Sequence, residues 1–275
     1  MSQKKCKVDN NLKLKEIYDT RYLGDYRKSL SGYEVARWKA LDHLISRILK
    51  LKNIGHVLDY GSGSGLHVEL WKHVFLEANL YFCDISSVAL QQLGDKYPEF
   101  KSKCGEVKRN RAPFDDLSFD VVISVEVMEH VENLDDYLED IFRLLKPGGI
   151  FIWTAPCANR FSIEHIFNII TNQIEKTSEG YRRWKWEEPA HLRRLKSDEV
   201  KKKLEEIGFD EIGFRFRAHF FSFVCTILMR GPLRKIGEKM MLLDFSLFRL
   251  LPNGASMIGF AKKLRGNMGC CYREL

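Results

Sequence analysis

The sequence predicts an α/β fold, a mostly parallel sheet with helices on both faces, and three observations carry that reading. Apolar spacing switches from helical to strand-like and back several times along the 275 residues, the pattern left by alternating β and α units. The strand-like run His56-Val57-Leu58-Asp59-Tyr60 leads directly into Gly61-Ser62-Gly63-Ser64-Gly65, a strand ended by closely spaced glycines. Further on, Phe119-Asp120-Val121-Val122-Ile123-Ser124-Val125 is rich in β-branched residues without polar alternation, as expected of a strand covered on both faces.

Each element then follows in order. A helix is predicted over 33–51, with Val35, Trp38, Leu41, Leu44, Ile45, Ile48 and Leu49 on one face. The strand at 56–60 and its glycine turn precede a helix over 66–75, a second strand at 79–84 and a second helix over 86–95 opened by a serine cap. A third strand is placed at 100–106 and the fourth at 119–125. The helix over 133–145 is stopped by Pro147-Gly148-Gly149, and the fifth strand is 150–154. A helix over 197–207 ends at Gly208, and the last two of seven strands are 209–216 and 257–262. Two segments stand outside the alternation, 157–194 and 219–255, and read as insertions on a core at 33–156. The whole of 1–275 is expected to form a single domain.

Composition narrows the function classes. The lysine-rich start of the chain lacks the apolar centre of a signal peptide, and no run reaches the ~18 apolar residues of a membrane span. Seven scattered cysteines, an odd number, form no disulfide framework and no paired zinc motif, so a reducing, cytoplasmic setting is expected. Net charge is +7, and residues 230–275 hold nine Lys or Arg against three Asp or Glu. A solvated basic face is the plain reading of that tail; nucleic acid is not expected as a partner, since no base-reading element accompanies it.

Closely spaced glycines after a strand let a ligand approach the backbone, with helix amides beside it. A dinucleotide fingerprint needs its third glycine at the sixth position, which here is Leu66; the spacing Gly61, Gly63, Gly65 suits a nucleoside without a pyrophosphate. Asp84 ends the second strand, where a carboxylate can accept both ribose hydroxyls.

The segment 57–65, the segment Phe119 to Val131 containing Glu126-Val127-Met128-Glu129-His130-Val131, and the turn Leu144-Leu145-Lys146-Pro147-Gly148-Gly149 resemble, in order and spacing, three motifs of class I S-adenosylmethionine-dependent methyltransferases. The fourth-strand motif is most similar to small-molecule O-methyltransferases of the ubiquinone-biosynthesis type and to methyltransferases found with polysaccharide synthesis. The resemblance implies a Rossmann-like, seven-stranded sheet and S-adenosyl-L-methionine as cofactor. It further implies that Asp59, Gly61, Ser62, Gly63 and Gly65 surround the methionine part, that Asp84 and Ile85 hold the ribose, and that Glu106 and Val107 lie near the adenine. Val125 and Glu126 are further cofactor-site candidates, and Arg37 would pair the methionine carboxylate or else lie exposed on its helix.

Methyl transfer from a sulfonium mainly needs alignment of donor and acceptor, and a hydroxyl acceptor needs a base. His130 and His191 are the candidates. Glu126, Glu129 and His130 would share a helical face by their i, i+3, i+4 spacing and so could seat a divalent cation, but capping and packing by Glu129 and His130 is the favoured reading, and no metal ligands are assigned. Trp184 and Trp186 are expected to wall a dry pocket beside His191. Cys157 reads as a buried, inert thiol rather than a nucleophile. The acceptor is read as a small molecule, a glycan or a lipid-linked compound, methylated at oxygen. A non-catalytic binding subunit and an RNA methyltransferase are the alternatives. The apolar run between Arg217 and Arg230, with Phe220, Phe221, Phe223, Val224, Ile227, Leu228 and Met229, and a second over 240–251, are either packed helices or a membrane-surface contact.

Overall fold

The computed structural model describes residues 10–24, 31–49, 53–159, 161–176, 182–185, 187, 190–221, 225, 228 and 232–264. Along the chain come α1 (Asn10–Leu23), α2 (Gly32–Ile48), β1 (His56–Tyr60), α3 (Val68–Val74), β2 (Asn79–Asp84), α4 (Ser87–Lys96), β3 (Cys104–Glu106), β4 (Phe119–Val125), α5 (Leu134–Leu144) and β5 (Leu145–Pro156). Then follow α6 (Ile163–Ile170), the hairpin β6 (Ile174–Lys176) and β7 (Arg182–Trp184), α7 (Ser197–Ile207), β8 (Phe209–Arg217), α8 (Arg234–Phe248) and β9 (Ser256–Lys263). The main sheet has seven strands in the order β3-β2-β1-β4-β5-β9-β8, all parallel except β9, which runs against both neighbours.

Strand side chains alternate between the two faces, and each face has its own core. On one, Val122, Phe151 and Trp153 pack against Tyr137, Leu138 and Ile141 of α5 and Val200 and Leu204 of α7. On the other, Val121, Ile123, Ile150 and Ile152 meet Leu41, Leu44 and Ile45 of α2, Trp71 of α3 and Phe245 of α8. The helix caps expected from sequence are present. Ser86 accepts from the Ala89 amide, Asn133 accepts from the amides of Asp135 and Asp136, and Gly208 takes the left-handed conformation that ends α7.

Two boundaries are corrected, and a third lies outside the described residues. The strand expected from residue 100 begins only at Cys104, because Pro98–Lys103 winds into a 3-10 helix that buries Phe100 against Phe82. Pairing of β5 starts at Leu145 rather than at 150; its register shifts across the Pro-Gly-Gly turn, where Gly148 sits at φ +77°. Residues 50–52, the end of the helix predicted over 33–51, lie outside the described residues. The N-terminal helix α1 was not expected at all.

The first insertion is held by a buried charge cluster. Arg194 reaches Glu187 at 2.6 Å and Glu164 at 2.9 Å, and its guanidinium covers the Trp184 ring at 4.6 Å. Trp184 donates its indole N–H to Glu164. The ring therefore belongs to the insertion's own core rather than to a pocket wall beside His191, which corrects that expectation; Trp186 lies outside the described residues.

In the second insertion Asp244 is fully buried and accepts from the amides of His219, Phe220 and Phe221 and from the His219 ring at 2.9 Å. Burial alone would push its carboxyl up, yet the His219 ring and the three amides overcome this and hold it below the ordinary aspartate value. A depressed folded pKa gives stability that is present above the unfolded value of about 3.9 and is lost as pH falls through the lower folded one. Asp244→Ala should cost about 3–5 kcal/mol, since it strands several buried donors. Thermal melts should show a difference from wild type that is flat from pH 5 to 8 and shrinks only below about pH 4. Residues 222–224, 226, 227 and 229–231 of the apolar run lie outside the described residues.

Candidate active site

Strand order reverses between β1 and β4, so the chains leaving their C-terminal ends diverge and open a crevice there. It is open to solvent, and its lining includes Tyr60, Gly61, Asp84, Ile85, Val107, Val125, Glu126 and His130. Among the lining residues are Gly61 and Asp84 from the predicted nucleoside constellation.

The glycines are required by conformation and by space. Gly61, Gly63 and Gly65 all have positive φ (+84°, +53° and +81°). A Cβ on Gly61 would lie 2.4 Å from a Val127 methyl, and one on Gly63 would lie 2.3 Å from the Tyr22 hydroxyl. Asp84 holds this turn against the next one by accepting from the Gly63 amide on one carboxylate oxygen and from the Ser86 amide on the other, both at 2.8 Å. Burial pushes its carboxyl up, against the pull of those amides. Ser62 turns its hydroxyl inward, buried and without a partner among the described residues.

Asp59 is placed elsewhere. Its carboxylate takes the Trp71 indole N–H at 2.7 Å and so fastens α3 to β1; like Arg37, Ser62, Gly63, Gly65 and Glu106, it is not among the residues lining the crevice. Burial raises its pKa to about 7, the Trp71 bond notwithstanding. Glu106 is engaged by Lys15 of α1 at 2.9 Å, beside Val107 on the crevice wall. Glu126 adopts φ +56° in the bend after β4 instead of starting a helix, which corrects the expected i, i+3, i+4 face. Its carboxylate meets Arg37 at 3.1 Å and accepts from the Thr154 hydroxyl at 2.8 Å. Arg37 is thus buried and paired rather than exposed, while its Nε has no partner among the described residues.

The sequence missed the crevice roof. Helix α1 contributes Leu14, Tyr18 and Tyr22, an i, i+4, i+8 stripe that was readable but sat in a polar segment without a detected periodicity. Asp19 pins the helix by accepting from the Ser86 hydroxyl at 2.6 Å and from the Val88 amide, at the N-terminus of α4.

His130 and His191, two separate candidates in the sequence, come together. The segment after the first insertion is stitched to the bend after β4: the Leu192 amide donates to the Glu129 carbonyl, and His130 Nδ1 lies 2.9 Å from the Ala190 carbonyl. A carbonyl can only accept, so Nδ1 donates to it, while Nε2 lies 3.9 Å from Glu129 Oε1. The rings of His130 and His191 meet edge to face, their centroids 4.7 Å apart. His191 Nδ1 lies 3.6 Å from Glu187. Burial works against the Glu187 charge, but His191, Arg194 and the Trp184 amide keep its carboxyl below the ordinary range. Glu129, His130 and His191 each offer one ligand atom, all within 4.8 Å of one another. The three could together hold a metal ion, and Glu129 and His130 are also buried, as the packing reading expects. Cys157 is buried, its thiol pushed up to about 12 by burial, and it is inert as expected.

A crevice at the switch point, with a glycine cradle, an orphaned serine hydroxyl and a carboxylate at the end of β2, lies where Rossmann-like α/β folds bind their ligands. Residues 58–153 match the family model of the methyltransferase domain. The chain is 26% identical over 154 residues to the probable S-adenosylmethionine-dependent methyltransferase of Mycolicibacterium smegmatis, covering 56% of this chain and 51% of that one. It thus spans about half the length of that relative. It is 37% identical over 106 residues to a ubiquinone biosynthesis O-methyltransferase of Maricaulis maris, covering 35% of this chain and 38% of the relative. The [4+2]-cyclase SpnF has the same fold, with a TM-score of 0.61 at 18% identity over 93% of this chain and 97% of that one. Residues 58–153 thus carry a methyltransferase domain, on a chain similar to S-adenosylmethionine-dependent methyltransferases.

Proposed function

We propose that this protein transfers a methyl group to a hydroxyl of a small-molecule, glycan or lipid-linked acceptor in the cytoplasm, the whole of 1–275 acting as one domain. In this reading 33–156 holds the cofactor and 157–194 faces the acceptor. Gly61, Ser62, Gly63 and Gly65 line the methionine part, with Arg37 toward its carboxylate through the unused Nε. Asp84 and Ile85 take the ribose, Val107 flanks the adenine with Glu106 behind it, and Val125 and Glu126 close the floor. S-adenosylmethionine supplies an electrophilic methyl group, so the protein's own residues have to orient the acceptor and remove its proton.

The observation that carries the proposal is the His130 imidazole on the crevice wall, oriented by the Ala190 carbonyl and met edge to face by His191. Glu129 within the same cluster favours a second form of the same reading, in which the three groups seat a divalent cation that binds the acceptor oxygen. The carbonyl on His130 Nδ1 and the carboxylate near His191 Nδ1 are the outer partners such ligands use.

The test is transfer of labelled methyl from S-adenosylmethionine into separated lipid, polar and RNA fractions of the source cell, with and without chelator. Label in a base-stable ether of the lipid or polar fraction is the expected result. Label confined to RNA, or none in any fraction while the cofactor still binds, would overturn it.

A further inference from the structure

The second insertion ends in a surface that the cofactor site does not use. On α8 and the turn after it, Ile236, Lys239, Leu243, Leu247 and Leu250 fall on one helical face. Leu243, Leu247, Leu250 and Leu251 are between 45 and 67% exposed, while the opposite face buries Met241, Asp244 and Phe245. The helix is therefore already packed, and these leucines are surplus to that packing. A cluster of this kind is uncommon on a surface with no partner.

Charge surrounds the cluster on both sides. At the start of α8, Lys235 and Lys239 are exposed and meet no carboxylate among the described residues. At its end Arg249 lies near Arg47 of α2 and Arg215 of β8, and none of the three makes an ion pair among the described residues. Partial burial first, and then Arg249 and Arg47, depress the basicity of Arg215; His43 is lowered by burial and by the same two arginines. The groups facing this corner are thus mostly cationic, with Asp42 the acid beside His43. A symmetric contact with a second copy would set these arginines and lysines against their own kind.

We propose that the exposed face of α8 is a peripheral docking surface for an anionic lipid bilayer, with the leucines entering the acyl boundary and Arg47, Arg215, Arg249, Lys235 and Lys239 meeting lipid phosphates. No helix among the described residues is long and apolar enough to cross a membrane, so the contact lies in the interface plane. Leucine side chains and basic groups each add to such binding, and the basic contribution is screened by salt.

The test uses the full chain in co-sedimentation with vesicles of phosphatidylcholine alone and of phosphatidylcholine with 30% phosphatidylglycerol (a composition of about that order is enough to set the surface potential). Binding should favour the anionic vesicles, weaken with salt, and fall about 10-fold or more in Leu247→Glu/Leu250→Glu. Arg47→Glu/Arg249→Glu should remove the preference for anionic lipid. Circular dichroism melts and cofactor affinity of both variants should match wild type, since these side chains are exposed or half-exposed and distant from the crevice lining. Equal sedimentation of wild type and Leu247→Glu/Leu250→Glu, or no binding to anionic vesicles, overturns the proposal. So does a wild-type dimer that the leucine variant makes monomeric in the absence of lipid.

Discussion

Asp84→Ala is expected to weaken binding of S-adenosylhomocysteine, read by titration calorimetry, on the order of 100-fold, the larger of the cofactor-site effects. Two hydrogen bonds from ribose hydroxyls to a carboxylate are worth roughly 1.5–3 kcal/mol each, and about 1.4 kcal/mol is tenfold in affinity. The carboxylate also holds the amides of Gly63 and Ser86, so its loss loosens the glycine turn that has to lie against the ligand. Asp59→Asn is the control. Asparagine keeps an oxygen for the Trp71 indole, and residue 59 does not line the crevice, so affinity should stay within about threefold. Equal losses in both variants would show that the turn's rigidity, and not the ribose contact, sets affinity.

That contrast also marks what the sequence can and cannot tell. Both aspartates lie at or near the end of a strand beside the glycine loop. Strand alternation separates them, because Asp59 points to α3 while Asp84 turns back into the crevice. The parallel core was legible since buried strands and capped helices are written locally, in the run 119–125 and in Ser86, Asn133 and Gly208. The bend after β4 was misread for a physical reason. Glu-Val-Met-Glu-His has helical spacing, but tertiary pairing of Glu126 with Arg37 and Thr154 fixes a left-handed residue that ends the strand without starting a helix. The crevice roof was lost for the opposite reason: α1 is held over α4 by Asp19, Lys15 and a Gln92 side chain rather than by a broad apolar face, so no strong periodicity announces it. The approach of His191 to His130 depends on backbone bonds across about sixty residues, which no local pattern encodes.

His130→Ala and His191→Ala are each expected to lower kcat by about 10²–10⁴ while leaving cofactor affinity near wild type, the largest catalytic effects in the molecule. The glycine turn and Asp84 are untouched by either change, so calorimetry with S-adenosylhomocysteine checks that the fold and cofactor site persist. Glu129→Gln then distinguishes the two ways in which the imidazoles can act. If His130 Nε2 takes the acceptor proton directly, the isosteric amide should cost less than about tenfold, and a chelator should leave wild-type activity intact. If Glu129, His130 and His191 together seat a cation, Glu129→Gln should fall as far as the histidine variants, and chelation should abolish activity until Mg²⁺, Mn²⁺ or Zn²⁺ is returned. Changes at Ala190 cannot remove the carbonyl that orients His130, so the neighbouring Glu187 gives the complementary probe. Glu187→Gln loosens both His191 and Arg194, and its loss of kcat should come with a lower melting temperature, whereas in the cation form Glu129→Gln should change activity and metal affinity with little change in the melt.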